Sequence, residues 1–176
     1  MKKLRSLVVI LSLLFILQSC SNTLSLPTPE TITRMNIIVK NNTTQHIDTF
    51  SLIQFRPNPV ATRDTVRLSP YSTYAVQIKL LNEATNPIQV VSDTITALAD
   101  IHLMVIAPDP IDSLLSVHIL DKDSKGLPLG LLSTIRTTAP RQGFLHLDLR
   151  HQPGAKNGTE TPGQSDFQAD FPVLIR

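Results

Sequence analysis

From Thr33 onward the apolar residues fall mostly on every second position. Tyr74, Val76, Ile78 and Leu80 alternate with Ala75, Gln77 and Lys79. Leu145, Leu147 and Leu149 alternate with His146, Asp148 and Arg150, and the chain closes on Phe167, Ala169, Phe171, Val173 and Ile175. A strand turns successive side chains to opposite faces, whereas an amphipathic helix repeats every 3.6 residues, so this period predicts strands with one buried face. Weaker strands are predicted over 35–40, 47–56, 65–68, 88–96, 102–106, 115–120 and 131–138, and no segment of this region carries a helical stripe. Turn chemistry separates them: Asn41-Asn42, Pro57-Asn58-Pro59, 82–87, 108–110, 123–126 and 140–143. The expected fold class is all-β, a single antiparallel β-sandwich, immunoglobulin-like in character, with a strand order that spacing leaves open. Pro172 cannot donate to a ladder, which predicts an edge or a bulge in the last strand. The longest gap, 152–165, is rich in Gly, Pro, Thr and Asn and reads as a mobile hairpin excursion rather than a lid.

The N-terminus departs from this pattern. Lys2, Lys3 and Arg5 precede Leu7–Leu17, eleven residues of which only Ser12 is polar. A spanning helix needs about 20 apolar residues, so the run has the size of a signal-peptide core. Leu17-Gln18-Ser19-Cys20 follows and resembles a bacterial lipobox, and Cys20 is the only cysteine in the chain. No internal disulfide is open to it, and acylation explains a lone thiol in an exported protein. At about 0.8 kcal/mol per buried CH₂, two or three acyl chains such as palmitate hold a protein on a bilayer durably. The division is therefore a lipoprotein signal peptide over 1–19, a lipidated cysteine with a Ser/Thr/Pro-rich tether over 20–33, and a β-sandwich over 34–176. Ser21, rather than an aspartate, follows the cysteine, which by analogy favours the outer membrane; the periplasmic side and the cell surface stay equally open.

Composition sharpens this picture in two ways. Apolar residues make up 41% of the 176, enough for a core, and Pro outnumbers Gly by 13 to 6, as suits short strands with hard turns. Removing Lys2, Lys3 and Arg5 takes the 16 basic residues to 13 against 14 acidic, so the net charge of +2 belongs to the precursor. A nearly neutral mature chain has no bulk electrostatic reason to bind nucleic acid.

Candidate chemistry is sparse. Alternation points His118 and His146 to solvent, and His46 lies in a turn. His151 continues the parity of Leu145, Leu147 and Leu149 to the rim of the buried face, where a histidine most often bonds to backbone. His102 opens an apolar strand after Asp93 and Asp100. Neutral imidazole is the commonest metal ligand, so His102, His151 and Asp100 form the candidate set for Cu or Zn, with nothing in the spacing to bring them together. Asp121-Lys122-Asp123-Ser124-Lys125-Gly126 opens like a calcium loop but lacks the downstream glutamate, and reads as a hairpin turn. Asp148 and Arg150 share a face and could pair. Asn42-Thr43-Thr44 and Asn157-Gly158-Thr159 read as turns. No nucleophile elbow, Cys/His pair, P-loop or dinucleotide fingerprint occurs, so no catalytic residue is assigned.

Taken together, 74–83 (YAVQIKLLNE), the His102 strand, 125–131 (KGLPLGL), 143–153 (GFLHLDLRHQP) and 170–175 (DFPVLI) make the chain from Thr33 onward resemble a group of small Bacteroidetes envelope lipoproteins. That resemblance implies a lipid-anchored all-β domain of the cell envelope with no enzyme activity. It also implies an accessory or binding role beside a TonB-dependent outer-membrane transporter. The alternative function is a periplasmic metal-binding lipoprotein that uses His102 and His151.

Overall fold

The computed structural model describes residues 31–54 and 61–176. The signal peptide, Cys20, most of the tether and the Pro57-Asn58-Pro59 turn lie outside the described residues. Within them the chain forms β1 (Arg34–Asn41), β2 (Ile47–Ile53), β3 (Thr62–Arg63), β4 (Val66–Leu68), β5 (Thr73–Asn82) and β6 (Gln89–Val90). Then come α1 (Val91–Ala97), a 3-10 turn (Ala99–Ile101), β7 (His102–Asp109), β8 (Leu115–Ile119), β9 (Leu132–Thr137), β10 (Arg141–His151) and β11 (Gln164–Ile175). One sheet runs β3-β2-β1-β5-β9-β8, with β6 added beside β5; the other runs β4-β11-β10-β7. All pairings are antiparallel except β4 on β11, which is parallel. The fold is an all-β sandwich.

The period-two residues supply the core. Met35, Ile37 and Val39 of β1 and Val76, Ile78 and Leu80 of β5 are buried from one sheet. Leu145, Leu147, Leu149, Phe171, Val173 and Ile175 are buried from the other. Fully burying such side chains stabilises by roughly 1.5–3 kcal/mol each, before chain entropy is counted. In a sheet buried on one face, a one-residue slip would turn this whole set outward, which fixes the register.

Two expectations change and a third is met locally. The segment 88–96 is not a strand: after two residues of β6 it becomes α1. Its β-branched Val90, Val91 and Ile95 suit a strand by propensity. Burial of Val91 and Ile95 on one helical face prevails, with the buried Ser92 Oγ accepting Leu80 N–H at 2.6 Å. Pro172 does lie at an edge: it pairs with Phe144 of β10 on one side and, among the described residues, with no strand on the other. β4 pairs only with Val173–Ile175, so Pro172 sits just outside that pairing, and the register shift comes instead at Leu149/Arg150. The excursion after β10 is not a loose one: Gln152 is fully buried, and its Nε2 donates to Thr159 O and Pro162 O at 2.8 and 2.9 Å.

The strand directions place the site. Thr33 N–H bonds Leu81 O and α1 packs beside Leu80, so the chain enters at the end of the sandwich where α1 leads into β7. His102, His151 and the loop between β10 and β11 are at that entry end. Asp109, Tyr71 and Thr138 are at the other.

Candidate functional site

Register brings the two candidate histidines together. His102 opens β7, His151 closes β10, and the two face each other as a cross-strand pair. Their rings stack with centroids 5.0 Å apart and planes 11° apart. Both are withdrawn from water, the His102 side chain 2% and the His151 side chain 13% exposed. Here the rim histidine foreseen at 151 and the strand-opening histidine at 102 become one unit. It is His102, rather than His151, that bonds the backbone: its Nδ1 lies 3.0 Å from Leu98 O. A carbonyl oxygen only accepts, so Nδ1 carries the proton and Nε2 of the neutral ring is a bare lone pair.

Asp100 does not complete the set. Its carboxylate accepts from Ser124 N–H at 3.1 Å and from Ser124 Oγ at 2.8 and 2.9 Å, which ties the 3-10 turn to the β8–β9 loop. The carboxylate at the imidazoles is Asp166, whose Oδ2 lies 3.8 Å from His102 Nε2 and 3.9 Å from His151 Nδ1, with its side chain 6% exposed. Alternation from Gln168 and Asp170 predicts Asp166 facing outward. The bulge is why it does not: Leu149 pairs with Phe167 and Arg150 with Ser165, leaving Asp166 as the extra residue. A bulge re-aims a side chain in this way, and period-two reading has no means of detecting it.

As arranged, this is a poor metal centre. Imidazole lone pairs lie in the ring planes, and a bound Zn sits about 2.0–2.1 Å from each nitrogen. Two nearly parallel stacked rings direct those lone pairs along separate planes rather than to one point. Among the described residues no group of three or more His, Cys, Asp or Glu is arranged to hold a metal ion. Burial pushes the His102 pKa below its ordinary value. The Leu98 carbonyl opposes this, His151 adds to it, Asp166 opposes it and Lys156 adds to it. His151 Nε2 is buried with no hydrogen-bond partner among the described residues.

A second buried polar cluster adjoins the first. Lys156, from the middle of the β10–β11 loop, places Nζ 2.9 Å from Asp123 Oδ2 and donates to Ala99 O at 2.8 Å. The two side chains are 2% and 0% exposed. Asp123 Oδ1 accepts N–H from Lys125 and Leu127. Burial works to raise the Asp123 carboxyl, but the Lys156 ammonium and these two N–H groups outweigh it and hold it below its ordinary value. Asp121 is likewise spent on backbone, accepting from Gly130 N–H and Leu131 N–H at 2.9 Å each. The run that opens like a calcium loop is thus a hydrogen-bonded turn.

The remaining histidines stay at the surface. His118 is exposed, His46 Nε2 lies 3.1 Å from Asp48, and His146 Nδ1 lies 2.6 Å from Asp170. Asp148 and Arg150 pair at 3.3 Å, and the Arg150 guanidinium also donates to Gly163 O at 2.8 Å. Gly163 has φ +77°, and a Cβ there would collide with the His151 carbonyl oxygen, so only glycine lets the loop return beside β10.

The side chains of Lys156 and Asp123 could not be foreseen as partners, since 33 positions separate them and neither belongs to a motif. The arrangement ties together the 3-10 turn, the β8–β9 loop and the β10–β11 loop, through Lys156 on Asp123 and Ala99 O and through Asp100 on Ser124. No family model, curated protein or solved structure matches this chain.

Proposed function

We propose that the chain is a non-catalytic lipoprotein of the bacterial cell envelope, tied to the bilayer through acylated Cys20 and serving as a binding or accessory module. The observation that carries this reading is Leu17-Gln18-Ser19-Cys20, set directly after a basic head and an eleven-residue apolar core, with Cys20 the only thiol in the chain. In support of the non-catalytic part, Asp123 is tied to Lys156 and to two backbone N–H groups, and His102 to the Leu98 carbonyl. Resemblance to the Bacteroidetes envelope lipoproteins extends the reading to a site of action beside a TonB-dependent outer-membrane transporter.

The geometry of the domain suits such a tether. Ten residues separate Cys20 from Thr31, a reach of at most about 35 Å when extended, and the chain then enters the sandwich at the α1 end. The far end offers two large exposed apolar side chains, Tyr71 at 77% and Ile111 at 73%.

Labelled palmitate supplied to cells making the full chain tests the anchor. Incorporation into the wild type and none into Cys20→Ala is the expected result. Equal incorporation into both, or none into either, ends the reading. Co-purification from membranes then tests the accessory role, with an outer-membrane transporter as the expected companion.

A further inference from the structure

The imidazole pair sets two basic rings against one buried carboxylate. His102 Nδ1–H is spent on Leu98 O, and its Nε2 lone pair faces Asp166 Oδ2 across 3.8 Å. A first proton finds a buried carboxylate at hand, since Asp166 Oδ2 lies 3.8 Å from His102 Nε2 and 3.9 Å from His151 Nδ1. A second has nowhere comparable to go. On His151 the remaining nitrogen, Nε2, is buried with no acceptor among the described residues, and the ring lies 5.0 Å from the imidazolium already formed. The other charged groups packed against the pair give no relief. The Lys156 ammonium of the loop is positive, and its counter-charge, Asp123, is already taken. Arg150 of β10 is committed to Asp148 and to the carbonyls of Pro162 and Gly163, and Asp100 of the 3-10 turn to Ser124.

What these rings hold is local. His102 leans on Leu98 ahead of the 3-10 turn, and His151 begins the β10–β11 loop. Gln152 N–H bonds Ile101 O, and Ala155 and Lys156 N–H both bond Gln152 O. Gln152 is the only residue of 152–163 that is buried as a whole, so few apolar contacts oppose its opening, while the core begins beyond the cluster at Met104, Leu149 and Phe171. Segments with few buried contacts open below the global unfolding free energy.

We propose that the stacked His102–His151 pair with Asp166 is an acid-sensitive clasp, which holds the β10–β11 loop and the 3-10 turn closed when neutral and releases them when the second imidazole takes a proton, with the sandwich still folded. The group that opens it is the hydronium of an acidified envelope, and no other ligand is required. Release withdraws Lys156 from Asp123 and Ala99, leaving the Asp123 carboxylate and the Ala99 carbonyl facing solvent at the entry end.

Hydrogen exchange of the full mature chain, measured from pH 7.5 down to about pH 4.5 and corrected for the intrinsic exchange rate, tests this. The amides of Ile101, Gln152, Ala155 and Lys156 are expected to lose protection below the ordinary imidazole range of about 6.5. The loss steepens toward about tenfold per pH unit for each proton taken up on opening. Amides of β1 and β5 keep theirs. His151→Phe retains a stacking ring without a titrating nitrogen, and His102→Asn retains a donor for Leu98 O; either is expected to remove the acid response of the loop. Near-UV circular dichroism at pH 7.5 establishes that each variant is folded, and a response abolished in whichever folds suffices. Loop protection unchanged down to pH 4.5, loss in one step with β1 and β5, or an undiminished response in both folded variants overturns the proposal.

Discussion

Two buried polar clusters lie side by side at the entry end of the sandwich, and they are built on opposite principles. At Lys156 and Asp123 the charges match: one ammonium meets one carboxylate at 2.9 Å, and the remaining oxygen of Asp123 is held by two backbone N–H groups. At His102, His151 and Asp166 two basic rings share one acid at nearly 4 Å, and one ring nitrogen has no partner among the described residues. The first arrangement pairs opposite charges one to one, and the ammonium and two N–H groups hold the Asp123 carboxyl below its ordinary value. The second rests on imidazole, the side chain that titrates near neutrality. Burial of polar groups thus gives a matched tie in one place and an unmatched one beside it.

The sharpest way to break this contrast is to unmake the matched pair. Lys156→Met keeps the aliphatic stem and leaves Asp123 buried without its counter-charge, so a loss of about 3–5 kcal/mol is expected in urea unfolding. The double variant Lys156→Met with Asp123→Asn keeps an oxygen for the Lys125 and Leu127 N–H groups and should recover much of that loss, and a double variant no more stable than the single one would contradict a charge-based tie. Next in size, Gln152→Ala removes both donors to the Thr159 and Pro162 carbonyls, and should cost about 1–3 kcal/mol by the same measurement.

Stability against pH separates the two clusters. Burial lowers the folded His102 pKa below its ordinary value, so the unfolded chain takes up more protons. The contribution from His102 is therefore fully present above about pH 6.5, is lost as pH falls below that value, and levels off below the folded pKa. His102→Asn should flatten this part of the profile, and Lys156→Met should shift it down and lessen its slope, because the ammonium adds to the lowering of the His102 pKa. The smallest effect belongs to the surface. His146→Ala breaks the contact with Asp170 where the two side chains are 46% and 56% exposed, and a change below about 1 kcal/mol is expected.

How far the sequence foretold this end of the molecule follows from what alternation can carry. Period two placed His151 at the rim of the buried face and put His118 and His146 outside, because parity persists along an undisturbed strand. It failed at Asp166, where a bulge breaks parity, and nearness in the chain to His102 offers Asp100 as the third member instead. It also failed over 88–96, where β-branched residues favour a strand locally but docking of Val91 and Ile95 on β5 makes a helix. Lys156 lay in a run of Gly, Pro, Thr and Asn that carries no period at all. Its burial comes from the β8–β9 loop, a contact between segments that only the assembled fold brings together.

The tautomer and titration of His102 bear most directly on this account. In a sample labelled with ¹⁵N in its imidazoles, two-dimensional spectra across pH 4.5–8 should show His102 protonated at Nδ1 in its neutral form and titrating below the ordinary histidine value. A His102 protonated at Nε2, or one titrating at or above that value, would contradict a buried ring donating to Leu98 and held neutral by its surroundings.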